Sequence, residues 1–150
     1  MTLLELIIAC AILLVLSSVA LPIAKYSVIR GKENDLRHNL LQIREAIDRY
    51  KDAADHNQIR VEIGSEGYPP DLETLVKGVA LGSGGVGNSS DKKIRFLRKI
   101  PIDPMTGRAD WGLRAVGDDP DSTHWSGKNV FDVYSKSTDT AMNGTKYATW

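Results

Sequence analysis

Few side chains in this sequence have the types and spacing that catalysis or metal binding requires. The histidines His38, His56 and His124 stand far apart and show no metal-ligand spacing. The single cysteine, Cys10, lies inside an apolar run, where it is unsuited to act as a nucleophile and has no partner for an intrachain disulfide. The sequence contains neither a nucleophile elbow nor a zinc motif. It therefore predicts a protein that is not an enzyme.

One glycine-rich segment matches a phosphate-binding spacing by its letters alone. Residues 82–87 read G-S-G-G-V-G, which fits G-x-G-x-x-G. A dinucleotide site needs a strand before these glycines and a helix after them, whereas here a short predicted helix precedes them and N-S-S-D follows. We predict a mobile Gly/Ser-rich loop over residues 78–92. The charge balance, with 19 Lys+Arg and 19 Asp+Glu, also predicts no nucleic-acid partner.

Glu5 is the side chain whose position carries the most chemical information. No charged residue occurs from Leu6 to Ala24, and as a helix this run would span about 28 Å, close to the hydrocarbon thickness of a bilayer. A carboxylate beside such a run is costly in a membrane, so we expect it to have a partner. The nearest cation is the α-amino group of Met1, which a neighbouring subunit shifted along the helix axis could present. The alternative is that Glu5 only snorkels to the lipid headgroups.

The apolar run differs from a secretory signal peptide, because no Lys or Arg precedes Lys25. Taken alone, the basic residues after the run place the rest of the chain in the cytoplasm. A basic leader removed before Met1 would reverse that orientation. We therefore expect this chain to be a processed product.

Residues 25–55 are predicted to continue the helix with one apolar face. That face is a stripe of residues spaced four, three, four and three apart: Leu36, Leu40, Ile43, Ile47 and Tyr50. We expect the stripe to pack on the chain's own globular domain; a coiled coil is the alternative, although the stripe lasts only about two heptads. Pro22 loosens the turn before it, in which Ser17 and Ser18 can bond back to the backbone.

The remainder of the chain is predicted to be a small α+β domain. Tyr68-Pro69-Pro70-Asp71 breaks the chain and caps a short helix that Gly78 ends. Residues 111–116 and 130–134 are predicted strands. The fold class is thus α+β, with a long N-terminal helix whose apolar half protrudes and whose other half packs on a small antiparallel sheet. The predicted parts are a hydrophobic transmembrane or filament-core helix at 1–24, an amphipathic half at 25–55 and a globular domain at 56–150.

The stretch from Met1 to Ala9, MTLLELIIA, resembles the mature N-terminus of type IV pilins and type II secretion pseudopilins. In this family a prepilin peptidase removes a short basic leader and the new N-terminus is N-methylated, which the resemblance implies for Met1 in place of the usual Phe. It also implies that Glu5 neutralises the amine of an adjacent subunit during assembly. The stretch before Pro22 can unwind in such filaments, and Leu14 here replaces a glycine often found in it.

The C-terminal part is similar to one branch of that family, the major (G-type) pseudopilin of type II secretion. The similarity rests on Tyr68-Pro69, the I-P-I-D-P-M-T-G stretch from Ile100 to Gly107, Val130-Phe131-Asp132-Val133-Tyr134-Ser135, Asp139 and Trp150. It implies the type IV pilin fold. Major type IV pilins commonly carry a C-terminal disulfide, which a chain with one cysteine cannot form.

The resemblance implies a structural subunit that waits as a single-pass protein in the bacterial inner membrane and then joins a periplasmic pseudopilus. The implied partners are further copies of the chain through their N-terminal helices, minor pseudopilins, an inner-membrane assembly platform with its ATPase, the prepilin peptidase and a secretin. Two alternatives stay open: the major subunit of an extracellular type IV pilus, and a membrane-anchored periplasmic binding domain.

The same resemblance raises the question of calcium. Major pseudopilins often bind Ca²⁺ in the loop after the last strand, where by position Asp139 supplies a carboxylate and Val133 and Ser135 add backbone oxygens. Ca²⁺ takes about six to eight oxygen ligands, several of them from carboxylates. The family's later acidic residues are replaced here by Asn143-Gly144-Thr145-Lys146. A loop held by its own hydrogen bonds is the alternative.

Overall fold

The computed structural model describes residues 2–82 and 92–150, with the side chains of 19–23 left out. The predicted mobile loop therefore lies mostly outside the described residues, as does the G-x-G-x-x-G spacing from position 83 onward. The chain divides into two compact units, Met1–Asn34 and Asp35–Trp150. The second is called the globular unit.

The described secondary structure is one long helix followed by short elements. Helix α1 spans Leu3–Asp55, as the continuous helical pattern predicted. The elements after it are helix α2 at Leu72–Lys77, strands β1 at Val79–Ala80, β2 at Lys93–Ile94, β3 at Trp111–Arg114 and β4 at Asp132–Ser135, and a 3₁₀ turn at Tyr147–Thr149. Among the described residues, β1 pairs with β2 and β3 with β4, both antiparallel. The α+β class is confirmed, with two small sheets in place of one.

The apolar stripe of α1 forms the centre of the globular unit, as predicted. Each of its residues is at most 2 % exposed: Leu36, Leu40, Ile43, Ile47 and Tyr50. They belong to one core cluster with Leu75 of α2, Trp111 of β3 and Val133 of β4. The ring of Tyr50 also meets that of Phe96 edge-on, with centroids 5.3 Å apart. The stripe is therefore the surface on which both sheets pack.

Helix α2 begins and ends where the sequence predicted. The Asp71 carboxylate accepts a hydrogen bond from the Thr74 N–H at 2.6 Å, which is an N-cap. Gly78 ends the helix with φ at 80°, and an added Cβ there would lie 2.8 Å from the Ile94 carbonyl oxygen. This turn leads directly into β1, so Val79–Ala80 is strand, although we predicted loop from residue 78 onward.

Strand β3 is shorter than predicted because the N–H groups of its last two predicted residues donate to side chains and not to a neighbouring strand. The Asp118 carboxylate accepts from the Ala115 N–H at 2.8 Å, and the Asn129 amide oxygen accepts from the Val116 N–H at 3.1 Å. The first of these bonds is the main cause of the lowered pKa of Asp118. Residues 115 and 116 thus leave the sheet, and β4 starts at Asp132 instead of Val130.

The packing of the stripe gives a direct test. Ile43→Ala should lower the free energy of unfolding by about 2–5 kcal/mol, because it leaves a cavity in a fully buried position. Leu41→Ala is the matched control on the same helix, since Leu41 is 56 % exposed, and it should change stability by about 0.5 kcal/mol or less. Urea unfolding of the detergent-solubilised full chain, followed by tryptophan fluorescence, measures both. Equal losses would contradict the assigned buried face.

Candidate functional site

The first turn of α1 carries a reciprocal hydrogen-bonded cap. The Thr2 hydroxyl accepts from the Glu5 N–H at 3.3 Å, and the Glu5 carboxylate accepts from the Thr2 N–H at 3.4 Å. This arrangement is a capping box, which satisfies two backbone donors that the helix start leaves without partners. A carboxylate in the first turn also interacts favourably with the helix dipole. The Thr-x-x-Glu spacing signals such a box, and our sequence analysis overlooked it.

Glu5 therefore has a local partner within its own chain, in addition to any partner in a neighbour. The predicted neighbour group, the amine of Met1, lies outside the described residues. The Glu5 side chain is exposed to solvent, so a cation from a second copy can approach it. The structure thus leaves the predicted pairing as a hypothesis and adds a second role for the same carboxylate.

Apolar side chains surround the helix beyond Glu5. Between positions 3 and 16 the large ones are 52–78 % exposed: Leu3, Leu4, Leu6, Ile7, Ile8, Ile12, Leu13, Leu14, Val15 and Leu16. Cys10 is exposed as well. A helix that is apolar on all faces is stable only when other apolar groups surround it. Burial of these side chains in apolar surroundings would therefore be favourable.

Pro22 is one of the positions 19–23 whose side chains are left out, and the backbone of α1 continues through them. One prediction for the preceding turn is confirmed, since the Ser18 hydroxyl donates to the Val15 carbonyl oxygen at 2.7 Å. A search of the described residues finds no helix with an apolar stretch long enough to cross a membrane.

A charged cluster joins α1 to β4 and to the end of the chain. Arg44 Nε donates to Asp132 Oδ1 at 2.7 Å, and Arg44 Nη2 lies 3.3 Å from Asp132 Oδ2. The same Nη2 donates to the carbonyl oxygen of Val133 at 3.1 Å and to the backbone oxygen of Trp150 at 2.9 Å. Arg114 Nη1 lies 3.7 Å from Asp132 Oδ2. Arg44, Asp132 and Arg114 are called the Arg44 cluster.

Our sequence analysis missed the Arg44 cluster because its members are far apart in the chain. Arg44 and Asp132 are separated by 88 positions, and Arg44 and Trp150 by 106. Within the helix, Arg44 counts only as one of several charged residues on the polar faces. No local spacing signals this cluster; its only hint is an Asp between the apolar residues of a predicted strand.

The Val133 oxygen, one of the atoms predicted to bind calcium, is engaged in another contact. The Val133 carbonyl oxygen accepts from Arg44. Ser135 is buried, and its hydroxyl donates to the Asp103 carboxylate at 2.6 Å. Asp139 is exposed, and its N–H donates to the Ser137 hydroxyl at 3.2 Å. In the described part of the chain, no group of three or more His, Cys, Asp or Glu side chains is arranged to hold a metal ion.

These residues do not fit a calcium centre. The guanidinium of Arg44 already lies against the Val133 oxygen, and like charges in a partly buried site repel each other. Asp139 is the only carboxylate of the predicted set, whereas Ca²⁺ takes several carboxylates among about six to eight oxygens.

Asp103, within the I-P-I-D-P-M-T-G stretch, anchors this stretch to β4. It is fully buried, and its Oδ1 accepts from the Met105 N–H at 2.8 Å while its Oδ2 accepts from the Ser135 hydroxyl. The Ser135 oxygen in turn accepts from the Ser137 N–H at 3.1 Å. The Trp111 indole N–H donates to the Pro101 carbonyl oxygen at 2.9 Å. The stretch therefore has a structural role that sequence analysis did not assign.

Asp103→Ala should destabilise the globular unit by about 1–3 kcal/mol, because it leaves the Ser135 hydroxyl and the Met105 N–H without an acceptor. Asp110→Ala is the control, since Asp110 pairs with Lys136 at the surface and should cost about 1 kcal/mol or less. Urea unfolding of the full chain measures both variants. A stable Asp103→Ala protein would show that the buried network is not required.

Comparison with known proteins provides no further assignment. No family model, curated protein or solved structure matches this chain. The evidence for function is therefore the chemistry of its own residues together with the resemblance of its sequence to the pilin-like family.

Proposed function

We propose that this chain is a structural subunit of a helical type IV pilin-like filament, and specifically the major pseudopilin of a type II secretion system. The observation that supports this most is the start of α1, where a carboxylate in the first turn precedes a helix with apolar side chains exposed on every face. Burying one such side chain contributes about 1.5–3 kcal/mol. Packing these helices against one another would supply that burial in a filament.

The transfer of the apolar helix from lipid to a bundle of like helices is nearly neutral in hydrophobic energy, because both surroundings are apolar. In this proposal the subunit waits in the inner membrane with its globular unit in the periplasm. Work for extraction comes from a cytoplasmic ATPase acting through a membrane platform. The filament, begun with minor pseudopilins, then pushes exported proteins towards a secretin.

Charge at the helix start sets the register between subunits in this proposal. A buried carboxylate without a partner is strongly disfavoured, and the amine of a neighbour's Met1 would neutralise Glu5 only at one axial offset. The capping box explains how Glu5 is held in the single subunit, where Thr2 keeps the carboxylate at the helix start. Prepilin peptidase processing is what would place a charged amine at Met1.

A pseudopilus is preferred to a surface pilus because the chain has one cysteine and cannot form the C-terminal disulfide common in major type IV pilins. The globular unit is instead closed by the Arg44 cluster and by the buried Asp103 network.

Glu5→Gln separates the two roles of Glu5. The amide keeps an acceptor oxygen for the capping box, but it removes the charge that would pair with the neighbouring amine. We expect at least about a tenfold loss of filaments in cells that carry the assembly machinery, because the buried charge pair between subunits is lost. Filaments sheared from cells and quantified against total subunit measure the loss.

Thr2→Ala is the matched control, because it removes the cap's side-chain acceptor at a cost of about 0.5–2 kcal/mol and leaves the Glu5 charge in place. It should reduce assembly less than Glu5→Gln does. Normal filaments from Glu5→Gln would refute the charge-pairing mechanism. Normal assembly of Glu5→Gln together with a loss in Thr2→Ala would assign the role of Glu5 to the cap alone.

Processing at Met1 is a separate prediction. The N-terminal peptide of protein isolated from its native host should begin at Met1, carry one methyl group on the amine and have no formyl group, because prepilin peptidase cuts and methylates at that position in the resembled family. Mass spectrometry of the peptide measures this. A formylated or unmethylated Met1, or an intact leader, would favour the membrane-anchored binding domain instead.

A further inference from the structure

The end of the globular unit is held by an arginine where the resembled family often uses a metal ion. Arg44 Nη2 donates both to Val133 in β4 and to Trp150, at 3.1 and 2.9 Å. Its Nε is bound to Asp132 at 2.7 Å, which fixes the guanidinium in place. One cationic group thus connects α1, β4 and Trp150.

The charge of the Arg44 cluster is already positive without a metal. Two guanidinium groups, those of Arg44 and Arg114, share the single carboxylate of Asp132, with N–O distances of 2.7 and 3.7 Å. Their side chains are only 37 % and 10 % exposed, so solvent screens them incompletely. A divalent cation at the Val133 oxygen would lie against the Arg44 guanidinium, and repulsion between them opposes its binding.

Other contacts close residues 136–150, called the C-terminal segment, in the same way. Arg37 of α1 stacks over the Trp150 ring, with its guanidinium carbon 4.3 Å from the ring centroid. The Trp150 indole N–H donates to the Thr145 hydroxyl at 2.7 Å, and the Ala141 N–H donates to the Thr145 carbonyl oxygen at 2.7 Å. Tyr147, within the segment, is buried, and its ring meets that of Trp150 edge-on. The segment is therefore held by side chains of α1 and by its own hydrogen bonds.

We infer that the Arg44 guanidinium takes the place of a divalent cation in this chain, so that the globular unit folds and its C-terminal segment stays closed without calcium. The inference goes beyond the proposed filament function and is independent of it. A filament subunit can have a globular unit closed by a guanidinium or by a calcium ion. The experiments below measure thermal stability and metal binding, not assembly.

The first experiment compares the full chain, in detergent, in excess EGTA and in millimolar CaCl₂. The thermal midpoint of the near-ultraviolet signal should differ by about 1 °C or less between the two, and calorimetric titration with CaCl₂ should show no saturable binding. If the folded chain had a calcium site, free calcium at about 100 times its Kd would instead raise the thermal midpoint by roughly 10 °C. Either a calcium-dependent rise of that kind or stoichiometric calcium binding would overturn the inference.

The second experiment removes the guanidinium. Arg44→Met keeps most of the side-chain volume and should lower the midpoint by roughly 5–10 °C in both EGTA and calcium, because Asp132 and the Trp150 oxygen lose their shared donor. Arg44→Lys keeps the positive charge but lacks the planar set of N–H donors of a guanidinium. It should therefore recover only part of the fall in the thermal midpoint. Arg49→Met is the matched control on the same helix, since Arg49 is exposed and bonds to Glu45 and to the Phe96 carbonyl oxygen at the surface, and it should shift the midpoint by about 2 °C or less.

The outcomes separate the alternatives even where Arg44→Met fails to fold, because the wild-type measurement in calcium and EGTA stands alone. Recovery of Arg44→Met by calcium, with no effect of calcium on the wild type, would also support the inference, because the ion would then occupy the place that the guanidinium leaves. A loss no larger than that of Arg49→Met would show that Arg44 does not close the segment.

Discussion

Burial of one face of α1 is the interaction on which the globular unit depends. Its strands are two to four residues long and, among the described residues, pair only in twos, and two-stranded sheets are marginally stable in water by themselves. They persist because both sheets and α2 contribute to the core that surrounds Ile43 and Ile47. The helix is therefore the scaffold, and the sheets are held in position by it.

Polar contacts determine how the ends of these short strands are arranged once the core has formed. The Asp103 network anchors the proline-rich stretch to β4, and the Arg44 cluster ties β4 and Trp150 to α1. A buried carboxylate that loses its hydrogen-bond donors costs free energy. Each network therefore favours the one arrangement of the loops in which its hydrogen bonds are formed. Apolar packing supplies the stability, while these bonds select the fold of segments that have little secondary structure.

Periodicity made α1 and its stripe predictable, because a 3.6-residue repeat is local information. The cap at Asp71 and the stop at Gly78 were predictable for the same reason. The sequence did not predict β1, because a strand of two residues is too short to show an alternating pattern and its partner, Lys93–Ile94, lies elsewhere in the chain. Nor did it predict the Arg44 cluster, because pairs separated by 88 or more positions meet only through the tertiary fold. The capping box of Thr2 and Glu5 is local information as well, whereas the resemblance placed a calcium ligand at the Val133 oxygen, where the folded chain puts the Arg44 guanidinium.

The long sequence separation of the Arg44 contacts also governs when the globular unit can close. A chain synthesised from its N-terminus presents the α1 stripe and Arg44 first, while Trp150 follows 106 positions later. Contacts between such distant residues form slowly, because the intervening chain must first be ordered. Until Trp150 has been made, the Arg44 guanidinium lacks its Trp150 acceptor and the apolar stripe lacks part of its cover. Closure of the globular unit is therefore a late event that waits for the segment around Trp150.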